Sequence, residues 1–167
     1  MTWKPIIIGM NPGPRTDPTE PLYPDSRCKS GLRLCNFMKL DPSEYLELFE
    51  RRNLIPERTP KWPHLRARKL ASAMQPELTG RWILLVGSRV SDAFGFSSNP
   101  LNRFVYSKSY VMGCIPHTSG LNRYYNYSQN ILATESCLEQ FVDEARKLRT
   151  LFAAETVPLA LDPLRVP

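Results

Sequence analysis

Acidic residues are missing where tyrosines are most frequent. From Ala93 to Thr134 there is no Asp or Glu, so no carboxylate in that stretch repels a polyanion. Histidine is scarce, at two residues, His64 and His117. Cysteine is present but not paired: positions 28, 35, 114 and 137 lack the two-residue gap typical of zinc ribbons and many iron–sulfur sites, so four reduced thiols and no bound metal are expected. No apolar run approaches the ~20 residues that a membrane helix needs. The opening MTWKPIII is too short for a secretory signal and lacks a small-residue cleavage site, so a cytosolic or nucleoid location is expected.

What the chain does hold is an ordinary globular composition over 167 residues, with 42% hydrophobic and 23% charged residues, enough for one domain spanning 1–167. Sixteen prolines point to long loops. The net charge of +6 is concentrated: Arg51, Arg52, Arg58, Lys61, Arg66, Arg68 and Lys69 face only Glu57 between them, and the rest of the chain is neutral. In the acid-free stretch, Arg103, Lys108 and Arg123 are interleaved with Tyr106, Tyr110, Tyr124, Tyr125 and Tyr127. Cations beside aromatic rings suit a nucleic-acid strand, and equally a solvated basic face with tyrosines packed beneath it.

Residues 4–9 read as a buried strand that stops in GMNPGP, where Pro12 and Pro14 lack ladder donors. Residues 14–30 read as a loop. SGLRLCNFMKL (30–40) reads as a helix with Ser30 as its N-cap, and DPSEYLELFERRN (41–53) as a second, with Asp41 as cap and Pro42 in its first turn. NLI (53–55) fits a short strand or a chain exit. Residues 63–74 read as a basic amphipathic helix, with His64 at the surface. RWILLVG (81–87) has the continuous apolar pattern of a strand buried on both faces, followed by a short helix over 88–96. Residues 103–116 hold one or two strands. Residues 130–152 give the clearest helix, with Leu138, Phe141, Val142, Ala145, Leu148 and Phe152 on one face. The tail 153–167 reads as a short strand or an extended arm. Apolar strands alternating with helices predict an α/β fold with three layers, α/β/α, around a mostly parallel four-stranded sheet. Such sheets bind ligands at the carboxyl ends of their strands. Two predicted strands end there in unusual polar loops: Asn11 after the first, and PHTSGLNRYYN, with His117, after the one ending near Ile115.

GMNPGP resembles the first signature motif of the uracil-DNA glycosylase superfamily, and is most similar to its single-strand-selective monofunctional branch. HTSGLNR resembles the second motif, joining a histidine form to the SGL form of the mismatch-specific branch; Thr118 stands where proline is common. SGLRLCNFMKL and WILLVGSRVSDAF resemble segments that recur between the motifs, so the resemblance covers residues 5 to 126.

The resemblance implies hydrolysis of the N-glycosidic bond of uracil, or a 5-substituted or mismatched pyrimidine, in single- or double-stranded DNA after the base is flipped from the stack. Asn11 would position the attacking water near C1′. His117 would donate to the developing charge on the base O2. Met10, Tyr23 and Asn53 would bind the base: Tyr23, twelve residues past Asn11, by stacking, and Asn53 by reading the O4 and N3 edge. A loop anchor and a helix C-cap are the plainer roles for Tyr23 and Asn53. Ser119 and Gly120 would meet the DNA backbone, while Leu121, Asn122 and Arg123 would enter the gap left by the base. Arg66 and Arg68, on the basic helix, are further candidates for phosphate contact. No cofactor, no metal and no membrane partner is implied, and a monomer is expected, in the cytoplasm near the nucleoid or, for a viral protein, in the host cytoplasm. Two other readings fit the same motifs: a base-flipping DNA-binding module without hydrolysis, and an enzyme repurposed for modified pyrimidines in nucleotides or viral DNA.

Overall fold

The computed structural model describes residues 4–97 and 99–155. In chain order the elements are β1 (Ile6–Gly9), α1 (Lys29–Phe37), α2 (Pro42–Leu48), β2 (Glu50–Asn53), α3 (His64–Leu78), β3 (Trp82–Val86), α4 (Ser88–Ala93), β4 (Arg103–Tyr106), β5 (Val111–Ile115), a 3₁₀ turn (Arg123–Asn126) and α5 (Ser128–Glu155). The strands form one mixed, mostly parallel sheet in the order β2-β1-β3-β5-β4, with β4 alone antiparallel, paired to β5.

The apolar strands divide their side chains between two cores, as period-two geometry requires. Ile7, Leu84, Val86 and Ile115 pack with α1, α2 and α5 through Leu34, Tyr45, Leu48, Leu138 and Phe141. Ile6, Ile8, Ile83, Leu85, Met112 and Cys114 pack with α3 and α4 through Ala67, Ala71, Leu78 and Val90. Helices therefore cover both faces. Phe141 lies between Phe49 (centroids 5.0 Å apart) and Phe104 (5.5 Å), nearly parallel to both rings. All four cysteines are free and buried, and burial pushes the Cys137 thiol up to about 12.

The sheet has five strands rather than four. The additional strand is β2, whose sequence ERRN has no apolar residue and falls in the predicted helix 41–53. That helix does begin as expected: Asp41 accepts from the Ser43 and Glu44 amides, with Pro42 next to it. It ends at Leu48 because Phe49 turns extended. β2 then pairs with β1 in register, Ile6 opposite Glu50 and Gly9 opposite Asn53. Its side chains are satisfied by ions instead of a core: Glu50 meets Arg52 and the nearly buried Arg81 (both 2.6 Å), and Arg81 also donates to the Lys4 carbonyl (2.6 Å). The expected cap of α1, Ser30, lies inside the helix; Cys28 is the N-cap and makes no side-chain capping bond. α5 runs through residue 155, so the predicted tail starts later than 153, and its remainder lies outside the described residues.

β2, β1, β3 and β5 all run the same way. Their carboxyl ends bring Asn53, the Asn11 turn, Gly87 and the His117 loop to one edge of the sheet. The chain moves from β1 outward to β2 and then back across to β3, the change of direction at which open α/β sheets form crevices.

Candidate functional site

A cavity of about 520 Å³ opens at this edge. Met10, Asn11, Asn53, His117, Ser119, Gly120 and Leu121 line it, together with Leu22 and the start of α1. A second cavity, about 470 Å³, shares Met10 to Pro14 and His117 and is closed by Arg58, Thr59 and Pro60. Asn11 and His117, one hundred and six positions apart in the chain, thus face common space.

The Asn11 turn is held by its own backbone and by a distant arginine. Gly13 O accepts from Thr16 N (3.2 Å) and Thr16 Oγ1 (3.0 Å). Arg58 Nε donates to the same carbonyl (3.2 Å) and Nη2 to Thr16 O (2.6 Å). The Asn11 and Asn53 amides are half-buried and have no hydrogen-bond partner among the described residues. Their polar atoms are therefore available to a ligand, in a cavity whose wall joins Met10, Leu22, Leu121 and three prolines to the cations Arg15, Arg27 and Lys29.

His117 is held more tightly. The Ser119 amide donates to Nδ1 (3.1 Å), so Nδ1 is an acceptor and the proton of the neutral ring is on Nε2. Burial first, and then the nearby Arg89 guanidinium, hold the imidazole below its ordinary value of 6.5, so it is neutral at pH 7. The ring packs on the turn after β3: a Cβ on Gly87 would stand 3.3 Å from His117 Cβ, and Gly87 has φ +105°. The positive φ requires glycine there, and the closeness of the ring leaves little room for a side chain.

The loop carrying His117 is fastened to α1 and to itself. Thr118, fully buried, donates from Oγ1 to Ser30 O (2.9 Å). Arg33 Nη1 donates to Ser119 O (2.9 Å) while its guanidinium lies 4.9 Å from the Tyr125 ring centre. Tyr125 Oη donates to Pro116 O (2.8 Å). At the tip of this braced loop Gly120 has open space around it and Leu121 is 94% exposed. A single exposed leucine is ordinary on a protein surface; what sets this one apart is its place on the lining of the cavity that Asn11 and His117 share.

Several expected residues stand elsewhere. Tyr23 does not line the main cavity; it faces a small neighbouring depression with Asp17, Asp25 and Arg27. Leu22 faces the cavity instead, because the chain takes φ 52° there and Leu22 O accepts from Tyr45 Oη (3.2 Å). Among the described residues, no Phe, Tyr or Trp lines the cavity. The Asn122 side chain is spent within the loop: Nδ2 donates to His117 O (2.7 Å) and Oδ1 accepts from Tyr124 N (3.1 Å). It shapes the loop and is not free to enter a gap in DNA. Arg123 is exposed. Arg66 pairs with Glu57 and Arg68 with Asp92 (3.1 Å), and neither lines a cavity with Asn11 or His117. Asn53 closes β2 and is not a helix cap.

Sequence reasoning missed Arg58, Arg89, Arg33 and Leu22. Arg58 and Leu22 lie outside the quoted segments, Arg89 and Arg33 lie inside two of them with no role attached, and only the three-dimensional path of the chain brings them to the site. Among the described residues, no group of three or more His, Cys, Asp or Glu side chains is placed to hold a metal, and no helix is long and apolar enough to cross a membrane. Compared with known proteins, the chain matches no protein-family model, and no curated protein matches it significantly.

Proposed function

We propose that this protein is a monofunctional DNA glycosylase of the uracil-DNA glycosylase type, acting on uracil or a related pyrimidine extruded from a DNA strand. The observation that carries this reading is the shared cavity, which the unpartnered Asn11 amide and a neutral His117 both line at the carboxyl edge of the mostly parallel sheet. An α/β/α layering around that sheet fits the motif resemblance.

In this mechanism the base enters the cavity with its O2 toward His117 Nε2–H and its O4 and N3 edge toward Asn53. The C1′–N1 bond breaks with its electron pair on the base. His117 stabilises the resulting charge by donation alone; a neutral donor of this kind is worth ~3–4 kcal/mol in the transition state. A water held by the Asn11 amide adds to C1′ and loses its proton to solvent or to the departing base. An amide orients water without acting as a strong base, so the sugar cation must develop early. Leu121 enters the stack as an apolar wedge, and Ser119 and Gly120 let the backbone approach. An aliphatic wall at Leu22 and Met10, in place of a stacking ring, leaves room beside the base for a 5-substituent.

A duplex or single strand carrying one uracil, incubated with the protein and then treated with alkali, is the test. Cleavage that appears only after alkali marks hydrolysis without lyase activity. Tight, base-selective binding with no alkali-labile product would instead support a flipping module that does not hydrolyse. Leu121→Ala is expected to lower activity on duplex more than on single strands, because only a duplex must be opened.

A further inference from the structure

The basic segment 51–69 has no place in the resemblance, and the structure sorts its cations. Arg51 is spent on the Phe49 carbonyl (3.2 Å) and lies over the Tyr45 ring; Arg52, Arg66 and Arg68 are paired with acids. Arg58 differs. It is exposed, makes no ion pair among the described residues, and lines the second cavity beside Asn11 and His117. Asp17, the acid close enough to feel its charge, is already bonded to the Thr19 amide and hydroxyl (2.8 and 2.7 Å). Two backbone carbonyls, Gly13 O and Thr16 O, fix the guanidinium through Nε and Nη2 and leave Nη1 without a partner among the described residues. Such a fixed fork at a cavity mouth suits an oxyanion, because little freedom is lost when it binds. The wall also holds Thr59, whose buried hydroxyl has no partner among the described residues, and Pro12, Pro14 and Pro60, which offer flat surfaces to a sugar.

We infer that this second cavity is a phosphodiester subsite: Arg58 holds the phosphate that flanks the extruded nucleotide, with the adjoining deoxyribose against the prolines. This rests on the glycosylase reading above. The same side chain grips the Asn11 turn, so phosphate binding and the placement of the catalytic amide share one guanidinium. A strand seated correctly beside the lesion would firm the turn that aims the water.

The test uses binding, so it does not depend on turnover. The ligand is an oligonucleotide with one 2′-fluoro-2′-deoxyuridine, a slowly hydrolysed analogue, made with a natural or a neutral methylphosphonate linkage on either side of that residue. For the unaltered protein, neutralising one of the two linkages is expected to weaken binding roughly tenfold, the scale of one charge-assisted hydrogen bond. Arg58→Met should weaken binding of the natural strand by a similar factor, respond no further to the neutral linkage, and lower the slope of log K against log salt by about one. Arg58→Lys should recover part of the affinity. Multiplying effects at both linkages, with Arg58→Met and methylphosphonate each costing its full factor together, would overturn the inference and leave Arg58 as a brace of the loop alone. If the unaltered protein shows no preference for the fluorouridine strand over a thymidine strand, the glycosylase reading itself fails. A retained preference without coupling overturns only the subsite.

Discussion

At the level of single residues, the protonation of His117 decides what the site can do. With Ser119 N–H pointing at Nδ1, a second proton on the ring would set two donors against each other. Acid is therefore expected to cut activity by unseating the loop, and not only by changing the charge. Burial and Arg89 lower the folded-state value, so kcat/KM should hold level through pH 6.5 and fall only at the lower pH where the buried ring takes up its proton. The sign for stability is the same. The unfolded chain takes up the proton first, so this histidine's contribution is complete above the ordinary value and is lost as pH falls through the depressed folded one. A pH–rate profile beside a pH–melting series checks both, and Arg89→Met should move the apparent value back toward 6.5. Asn11, His117 and Leu121 were legible in the sequence because each sits in a short, stiff, polar or glycine-bearing stretch that ends an apolar run. That Tyr23 stands outside the main cavity is not readable from the sequence, since counting residues says nothing of which neighbour points inward. One left-handed residue, Leu22, rotates the chain so that the aliphatic side chain faces the cavity and the ring faces away.

At the level of elements, α1 serves as the mount for both loops. Its Gly31 packs so closely on the backbone of residues 22 and 23 that an added Cβ would lie 2.3 Å from Leu22 O and 2.4 Å from Tyr23 O. Gly31→Ala should therefore cost ~1–3 kcal/mol through overpacking against backbone that cannot yield, measured as a loss in denaturant midpoint. Asp41→Ala, a cap away from the site, should cost ~1 kcal/mol and leave activity unchanged. The contrast separates a helix that carries the site from one that only packs. Caps and helical periodicity made α2 and α5 readable. β2 was not readable, because a four-residue edge strand of Glu, Arg, Arg and Asn carries no apolar alternation. Its evidence is the register with β1 and the ion pairs to Arg81 and Glu77, all of which are long-range.

For the whole molecule, the net charge of +6 gave the strongest hint of a polyanionic partner, but its distribution in space differs from its distribution along the chain. Neighbours in sequence between residues 51 and 69 point to a ring, to acids, to the Asn11 turn and to solvent. Arg66 and Arg68 are half or more exposed and already paired. Exposed pairs of this kind contribute ~0–1 kcal/mol to folding and offer little uncompensated charge to phosphate. The double change Arg66→Ala with Arg68→Ala is expected to leave the salt slope of DNA binding unaltered, whereas Arg58→Met lowers it. A slope that falls with the double change would put the basic face of α3 on the DNA after all.

The most direct measurement is single-turnover release of uracil from a strand bearing one uracil, for the unaltered protein and for Asn11→Ala and His117→Ala, with strand affinity measured in parallel. Expected are alkali-labile product from the unaltered protein and at least ~100-fold slower release from each variant at nearly unchanged affinity. Full activity in either variant, or no released base from the unaltered protein across uracil, 5-hydroxymethyluracil, mispaired thymine and hypoxanthine, would contradict the proposed chemistry.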